Sequence, residues 1–192
     1  MSMIPLWDAQ GLLPPIRPGE RPTSRDRTPY RAGLVDFVDR FALTRARVDL
    51  LDSLLRYRAA LHSAGILTGF QWLDGSFVEH AELTRGKPPK DIDVVTFFEL
   101  PNGETQQSFF HKNMDLLHPK SVQNTFGLDA FPQLLGNTLQ SEVRGGIVYW
   151  YSMWSHTRNG IWKGFIEIDI DSSQDVDAQF LLTQKMEGMS DV

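Results

Sequence analysis

The sequence predicts an α+β protein, in which a small mixed β-sheet is flanked by helices and preceded by an extended Pro-rich N-terminal arm. Six prolines lie within residues 1–29, and proline lacks the backbone N–H that a helix needs. Apolar residues then recur at helical spacing through residues 31–65. Beyond residue 68, short apolar runs bounded by turn residues are typical of strands.

Two helices and one strand are predicted in the first half of the chain. Residues 31–41 place Leu34, Phe37 and Phe41 on one helical face. A longer helix follows, with Thr44 as its N-cap and Gly65 at its end, because Ser, Thr, Asp and Asn cap helices and glycine closes them. This helix leads directly into a predicted strand over residues 69–73.

The second half is predicted to contain further strands and two more helices. A strand begins at Asp91, a helix covers residues 105–117, and a strand over residues 125–131 places Thr125, Gly127 and Asp129 on one face. Residues 143–154 and 161–170 are predicted to pair as a hairpin through an Asn-Gly turn. Within the second hairpin strand Phe165, Glu167 and Asp169 share a face. Residues 178–186 could form a terminal helix.

These elements indicate three segments: an arm over residues 1–30, a folded domain over 31–171, and an acidic tail or short helix over 172–192. The formal charge of −5 is uneven, since residues 1–60 carry ten Arg against seven Asp and Glu. This basic region could meet nucleic acid or an acidic partner, or could be a solvated helix surface. The arm and the tail are the segments expected to bind a partner protein.

The composition excludes several classes of protein. The chain has no cysteine, which excludes disulfide scaffolds, thiolate metal sites and cysteine nucleophiles. No apolar run approaches the roughly 18 residues of a membrane span, and residues 1–29 do not have the apolar stretch of a secretory signal. We therefore expect no membrane association and a cytoplasmic location.

The chemistry-bearing stretch is a Gly-Ser pair followed by two carboxylates. Gly75 and Ser76 end one apolar run, and Asp91 and Asp93 open the next, so both carboxylates would project from one face of a strand. Backbone N–H groups at a glycine can approach phosphate closely, and adjacent carboxylates bind Mg²⁺ or Mn²⁺. Lys90 lies in the intervening loop, where it could contact phosphate or remain solvated.

These residues resemble a known family. Leu73-Asp74-Gly75-Ser76 followed by Asp91-Ile92-Asp93-Val94 is similar to the glycine-serine and paired-aspartate signature of the DNA polymerase β superfamily of nucleotidyltransferases. Most of the chain also resembles a little-characterised bacterial branch of that superfamily. The stretches that carry this resemblance are Gly11-Leu12-Leu13-Pro14-Pro15, Trp72 to Phe77, Pro89 to Val94 and Lys163 to Asp169. The 16 positions from Gly75 to Asp91 are more than the superfamily usually has.

The resemblance implies a nucleotidyltransferase core that transfers an NMP from an NTP, with ATP the expected donor, to a hydroxyl of a protein, an RNA or a small molecule. It implies that Gly75 and Ser76 hold phosphates and that Asp91 and Asp93 bind two metal ions. Small superfamily members often act in toxin-antitoxin or phage-defence systems. A third carboxylate near the acceptor would complete the metal site. The sequence offers Asp129 or, alternatively, Asp169, and leaves open that neither serves.

Two other interpretations remain open. The fold could serve as a non-catalytic module that binds a nucleotide or a partner, although both Asp91 and Asp93 are present. A glycosyltransferase that uses an Asp-x-Asp motif would need a βαβ unit upstream, and residues 1–68 predict an arm and helices instead.

Four aromatic residues could stack on a base or pack the predicted hairpin: Trp150, Tyr151, Trp154 and Trp162.

Overall fold

A five-stranded mixed sheet organises the protein. The structure is a computed structural model, and it describes residues 4–136 and 142–190. In chain order the strands are β1 (Tyr30–Arg31), β2 (Gly69–Asp74), β3 (Asp93–Phe98), β4 (Asp129–Leu134) and β5 (Ile166–Asp169). Their spatial order is β1-β5-β2-β3-β4. β5 and β3 run antiparallel to β2, while β1 is parallel to β5 and β4 is parallel to β3.

Helices pack on both faces of this sheet, which confirms the α+β class. They are α1 (Leu34–Phe41), α2 (Arg45–Ser63), α3 (Ala81–Arg85), α4 (Gln106–Lys112), α5 (Met114–Leu117), α6 (Pro119–Phe126), α7 (Val148–Trp154) and α8 (Asp175–Ser190). In the part of the chain described, no helix has the length and apolar character needed to cross a membrane.

The main hydrophobic core lies between one face of the sheet and helices α1, α2 and α8. Alternate residues of β5 and its continuation, Ile166, Ile168 and Ile170, are buried in it. Helix α2 has Leu51, Leu54, Leu55 and Leu61 on its buried side. Thr44 caps that helix as predicted, because its side chain accepts a hydrogen bond from the backbone N–H of Arg47.

The opposite face of the sheet has a smaller aromatic core. Trp72, Val95, Phe97 and Phe165 pack there with Trp150 and Trp154 of α7. The predicted alternation along β5 is therefore confirmed, because Phe165 lies on the opposite face from Ile166, Ile168 and Ile170.

The residues before β1 form turns and bends rather than a helix or a regular strand, with one isolated bridge between Ile16 and Arg27. Ile4 and Leu13 are buried in the main core. The backbone N–H of Gly164 donates to the carbonyl of Leu13 at 2.7 Å. This segment is therefore attached to the rest of the protein near the start of β5.

Two predicted strand boundaries in the middle of the chain are wrong. The carboxylate strand begins at Asp93 rather than Asp91. Thr125 lies in the last turn of helix α6 instead of in a strand, since Pro119 starts that helix and Gly127, with φ of 71°, closes it. The following strand β4 contains Pro132, which is tolerated because β4 lies at the edge of the sheet. The helix predicted over residues 105–117 is divided at Asn113.

The hairpin predicted for residues 143–170 is also wrong. Residues 142–147 are π-helical and lead into α7. Spacing of i to i+4 puts Trp150 and Trp154 on the same side of α7, where they contact Phe131 and Phe165 at ring-centroid distances of 4.9 and 6.1 Å. The Asn-Gly turn is present, but it connects this helix to β5, whose partners are β1 and β2.

The predicted terminal helix is longer than expected and packs against the rest of the fold. Helix α8 covers residues 175–190, with Ala178 and Leu182 fully buried. Lys185 of this helix forms an ion pair with Asp39 of α1 at 2.7 Å. Packing on α1 and α2 supplies the tertiary contacts that a terminal helix needs to be stable.

Candidate functional site

Three aspartates form a row across three neighbouring strands. The last residue of β2, Asp74, is paired with the first residue of β3, Asp93. Asp93 is in turn paired with Asp129, the first residue of β4. Residues paired in this way project from the same face of a sheet, and neighbouring strands are roughly 5 Å apart. The row therefore places three carboxyl groups close together on the face that carries the aromatic core.

Asp91 joins this row from the loop before β3. The carboxyl groups of Asp91, Asp93 and Asp129 all line one cavity of about 890 Å³, together with Gly75 and Ser76. The structure thus brings together the predicted catalytic carboxylates and the predicted Gly-Ser turn. They come from β2, β3, β4 and two loops, so the strand register determines their arrangement.

The negative charges of these neighbouring carboxylates repel one another. Burial, followed by the negative charges of Asp91 and Asp129, raises the pKa of Asp93 to about 6. Burial and the charge of Asp91 also raise the pKa of Asp129. Repulsion between the carboxylates also favours a bound cation, because a divalent ion between two carboxylates stabilises both in their ionised form.

The donor set at this site fits Mg²⁺ or Mn²⁺. The nearby ligands are carboxylate oxygens, which hard divalent cations prefer. Among residues 4–136 and 142–190, no three Asp, Glu or His side chains already form a cation-binding group.

Gly75 lies in direct contact with Asp93. It begins a short 3₁₀ turn over Gly75–Phe77 and has φ of 75°, in the left-handed region that favours glycine. A Cβ at this position would lie 1.6 Å from Oδ2 of Asp93. The absence of a side chain at residue 75 is therefore needed both by the backbone conformation and by the neighbouring carboxylate.

Buried Arg47 of α2 supports the chain just after this turn. Its guanidinium donates to the carbonyls of Phe77 and Glu79 at 2.6 and 2.7 Å. It also forms two hydrogen bonds with the carboxylate of Glu82, at 2.7 and 2.9 Å. Arg47 thereby connects the long helix to the segment that presents Ser76.

Lys90 lies in a separate recess of about 330 Å³ that adjoins the cavity at Ser76 and Asp91. Arg85, Lys87 and Arg158 also line this recess. The segment between Gly75 and Asp91 therefore supplies three of its cations, Arg85 at the end of α3 and Lys87 and Lys90 in the loop that follows. Their arrangement is suitable for contact with phosphate.

Asp169, the alternative third carboxylate, lies elsewhere. It pairs with Phe70 in the β2–β5 register, four residues from Asp74 along β2. Its exposed side chain forms an ion pair with Arg31 at 3.2 Å. Asp169 is not among the residues that line the cavity, whereas Asp129 lies next to Asp93.

Asp74 and Lys163 were missed as site residues by the sequence analysis. Both line the cavity and are almost completely buried, and their side chains form an ion pair. Burial raises the pKa of Asp74 to about 7, although Lys163 and the Gly75 N–H act in the opposite direction. The available signal was the position of Asp74 immediately before the Gly-Ser pair. Nothing in the sequence pairs it with a lysine 89 positions away.

The aromatic residues form one wall of the cavity. Phe131, Trp150 and Trp154 line it together with Met153. Trp150 and Trp154 also belong to the aromatic core, so they pack against the sheet as well as face the cavity. Trp162 lies outside this wall, is 44% exposed, and is covered by the guanidinium of Arg27 at 5.7 Å.

Replacing Asp93 is expected to stabilise the protein when no metal ion is present. The rise of its pKa from 3.8 to about 6 corresponds to about 3 kcal/mol as an upper limit. Because the folded state favours the protonated form, this destabilisation is present above pH 6 and disappears as the pH falls toward 4. We expect Asp93→Asn to gain about 1–3 kcal/mol at pH 8 in a chelator and almost nothing at pH 4.

Urea denaturation at the two pH values measures this effect. Asp169→Asn is the matched control, since it makes the same substitution at an exposed ion pair, and it should change stability by less than about 1 kcal/mol. A variant Asp93→Asn that is no more stable than the unmodified protein at pH 8 would contradict the repulsion inferred for the row.

The comparisons with known proteins give a family but no function. A family model described as "Family of unknown function (DUF6932)" matches residues 5–169. That range includes residues 5–29 before β1, all five strands of the sheet and every carboxylate of the row. No curated protein and no solved structure matches the chain. The protein belongs to the DUF6932 family.

Proposed function

We propose that this protein is a metal-dependent nucleotidyltransferase, which transfers an NMP from an NTP to a hydroxyl group. The observation that carries the proposal is the convergence of Asp91, Asp93 and Asp129 with the Gly75-Ser76 turn in one cavity. This combination supplies ligands for a divalent cation beside backbone and hydroxyl donors for phosphate.

The carboxylates, the Gly-Ser turn and Lys90 each have a role in that reaction. Asp91, Asp93 and Asp129 would hold Mg²⁺ or Mn²⁺, which supplies charge stabilisation at the reacting phosphate when bound. The N–H groups of the turn and the Ser76 hydroxyl donate to phosphate oxygens of the NTP. Lys90 lies in the adjoining recess, where it can neutralise the negative charge of the polyphosphate.

In the transfer step, the acceptor hydroxyl oxygen forms a bond to the α-phosphorus, and the bond from that phosphorus to the pyrophosphate oxygen breaks. The acceptor proton passes to a base. Asp129 is the proposed base, because a carboxylate held beside the reacting groups can accept that proton. The chain otherwise acts by holding the reactants in line.

The test is transfer of label from each α-labelled NTP to total protein, RNA or small molecules, with Mg²⁺ or Mn²⁺ present. We expect transfer with the unmodified protein, and a loss of at least about 100-fold in an Asp91→Asn/Asp93→Asn variant. Asp169→Asn, outside the cavity, should keep full activity. Equal transfer by the Asp91→Asn/Asp93→Asn variant would overturn the assignment of these residues.

A result without transfer would distinguish the second interpretation. If no label moves but an NTP raises the melting temperature of the unmodified protein and not that of the Asp91→Asn/Asp93→Asn variant, the cavity is a nucleotide-binding site without turnover. If neither label transfer nor thermal stabilisation occurs, the nucleotidyltransferase proposal is wrong.

A further inference from the structure

The buried ammonium group of Lys163 has no place in the function proposed above. Lys163 lies between α7 and β5, is 3% exposed and lines the cavity. Its backbone N–H donates to the carbonyl of Ser155 at 2.8 Å. The next N–H, that of Gly164, donates to the carbonyl of Leu13. The backbone that carries this lysine is therefore held on both sides.

The partner of Lys163 is Asp74, at the end of the carboxylate row. The two side chains are 4% and 6% exposed and form a hydrogen-bonded ion pair. Removing two charges from water costs several kcal/mol, and their attraction often does no more than offset that cost. Stabilisation of the fold is therefore a weak explanation for a lysine in this cavity.

The ammonium retains hydrogen-bonding capacity beyond this pair. An ammonium group has three N–H donors, and within the described residues one of them is used by Asp74. The positive charge also acts on the centre of the row, where it lowers the pKa of Asp93 against the larger effect of burial. Lys163 thus places unused donors and a positive charge beside the predicted metal ligands.

We propose that Lys163 is a phosphate-binding residue, which donates to a phosphate oxygen of the nucleotide from the buried side of the cavity, and that Asp74 positions it rather than binding metal. This inference rests on the nucleotidyltransferase proposal for the identity of the ligand. The recess that contains Lys90 approaches the phosphates from the exposed side, near Ser76. The two sites would hold the polyphosphate between them.

The direct probe is inorganic pyrophosphate, measured by calorimetry with Mg²⁺ and again in a chelator. We expect Lys163→Met to weaken pyrophosphate binding at least about tenfold, since a charged hydrogen bond is lost. Lys163→Met leaves Asp74 buried without its partner and could impair folding. The double variant Asp74→Asn/Lys163→Met removes both charges together and serves as the folded comparison, with cooperative thermal unfolding as its check.

Three variants separate the two residues. Asp74→Asn keeps the ammonium and an oxygen that can accept the hydrogen bond positioning Lys163, so it should weaken pyrophosphate binding less than the two variants without Lys163, which should lose binding by at least about tenfold. All three should retain Mn²⁺ binding, measured by electron paramagnetic resonance, because Asp91, Asp93 and Asp129 are unchanged. A variant that only disturbed the fold would instead weaken the binding of both pyrophosphate and Mn²⁺.

The outcomes distinguish this inference from the function on which it rests. If the folded double variant binds pyrophosphate as tightly as the unmodified protein, Lys163 does not bind phosphate, whether or not NMP transfer is observed. If binding depends on Lys163 but no NMP is transferred to any acceptor, the phosphate site stands and the transferase proposal fails. If the unmodified protein binds no pyrophosphate under either condition, the phosphate site is wrong.

Discussion

Replacing Arg47 with methionine should destabilise the protein by about 3–5 kcal/mol, the usual cost of removing one partner from a buried charged network. Arg47 is completely buried and makes four hydrogen bonds, two to backbone carbonyls and two to Glu82. Methionine replaces the aliphatic stem of arginine but lacks the guanidinium and its donors. The two buried carbonyls would lose a partner that water cannot readily replace, and the partly exposed carboxylate of Glu82 would lose its ion-pair partner.

Thermal and urea denaturation measure this loss, which corresponds to a fall in Tm of roughly 10 °C for a chain of this size. Arg45→Met is the matched control on the same helix. Arg45 is 58% exposed and pairs with Asp49, so its replacement should cost less than about 0.5 kcal/mol. A loss below about 1 kcal/mol for Arg47→Met would show that the network contributes little.

The effect should extend to the candidate site. Arg47 holds the carbonyls of Phe77 and Glu79, and Phe77 ends the turn that contains Ser76. We therefore expect Arg47→Met to weaken NTP binding when it is measured by calorimetry at a temperature where the variant is still folded.

The local sequence pattern was sufficient to predict helices α1 and α2. In α2, the leucine period and the Thr44 cap agree with one another and with the observed packing. A helix whose spacing, capping and burial agree in this way can be predicted without tertiary information. The same reasoning placed Gly75 and Ser76 at the end of β2, because a polar turn follows a continuous apolar run.

The aromatic segment over residues 143–154 could not be interpreted in this way. Aromatic and β-branched residues favour strands on average, and the Asn-Gly dipeptide after them favours a hairpin. The structure instead packs Trp150 and Trp154 on Phe131 and Phe165 through one side of a helix. Burial against the sheet outweighed local propensity here, and that burial depends on strands distant in sequence.

The carboxylate row also depends on contacts that the sequence pattern alone does not show. Asp91 and Asp93 are recognisable as a pair from their spacing alone. The positions of Asp129 and Asp74 beside Asp93 depend instead on the register of β4 and β2 against β3. A shift of one residue in either strand would turn the carboxyl group to the other face. The row is therefore a tertiary feature, as is the contact of Lys163 with Asp74.

Replacing Gly75 with alanine should also destabilise the protein strongly, and it should disrupt the proposed cation site. The left-handed backbone at φ of 75° costs about 1–2 kcal/mol for an alanine. The new Cβ would also meet Oδ2 of Asp93 at 1.6 Å, so the carboxyl group or the turn must move. We expect a total loss of about 3 kcal/mol, with displacement of Asp93 responsible for the part beyond backbone strain.

Gly103→Ala isolates the backbone contribution, because Gly103 has φ of 84° and a Cβ there would have no neighbour within 4 Å. It should lose only the 1–2 kcal/mol of left-handed strain and should respond to Mn²⁺ like the unmodified protein. Gly75→Ala should lose both the additional stability and the rise in Tm produced by Mn²⁺. If the two variants lose equal stability and Gly75→Ala still responds to Mn²⁺, then contact between Gly75 and Asp93 does not determine the geometry of the carboxylate row.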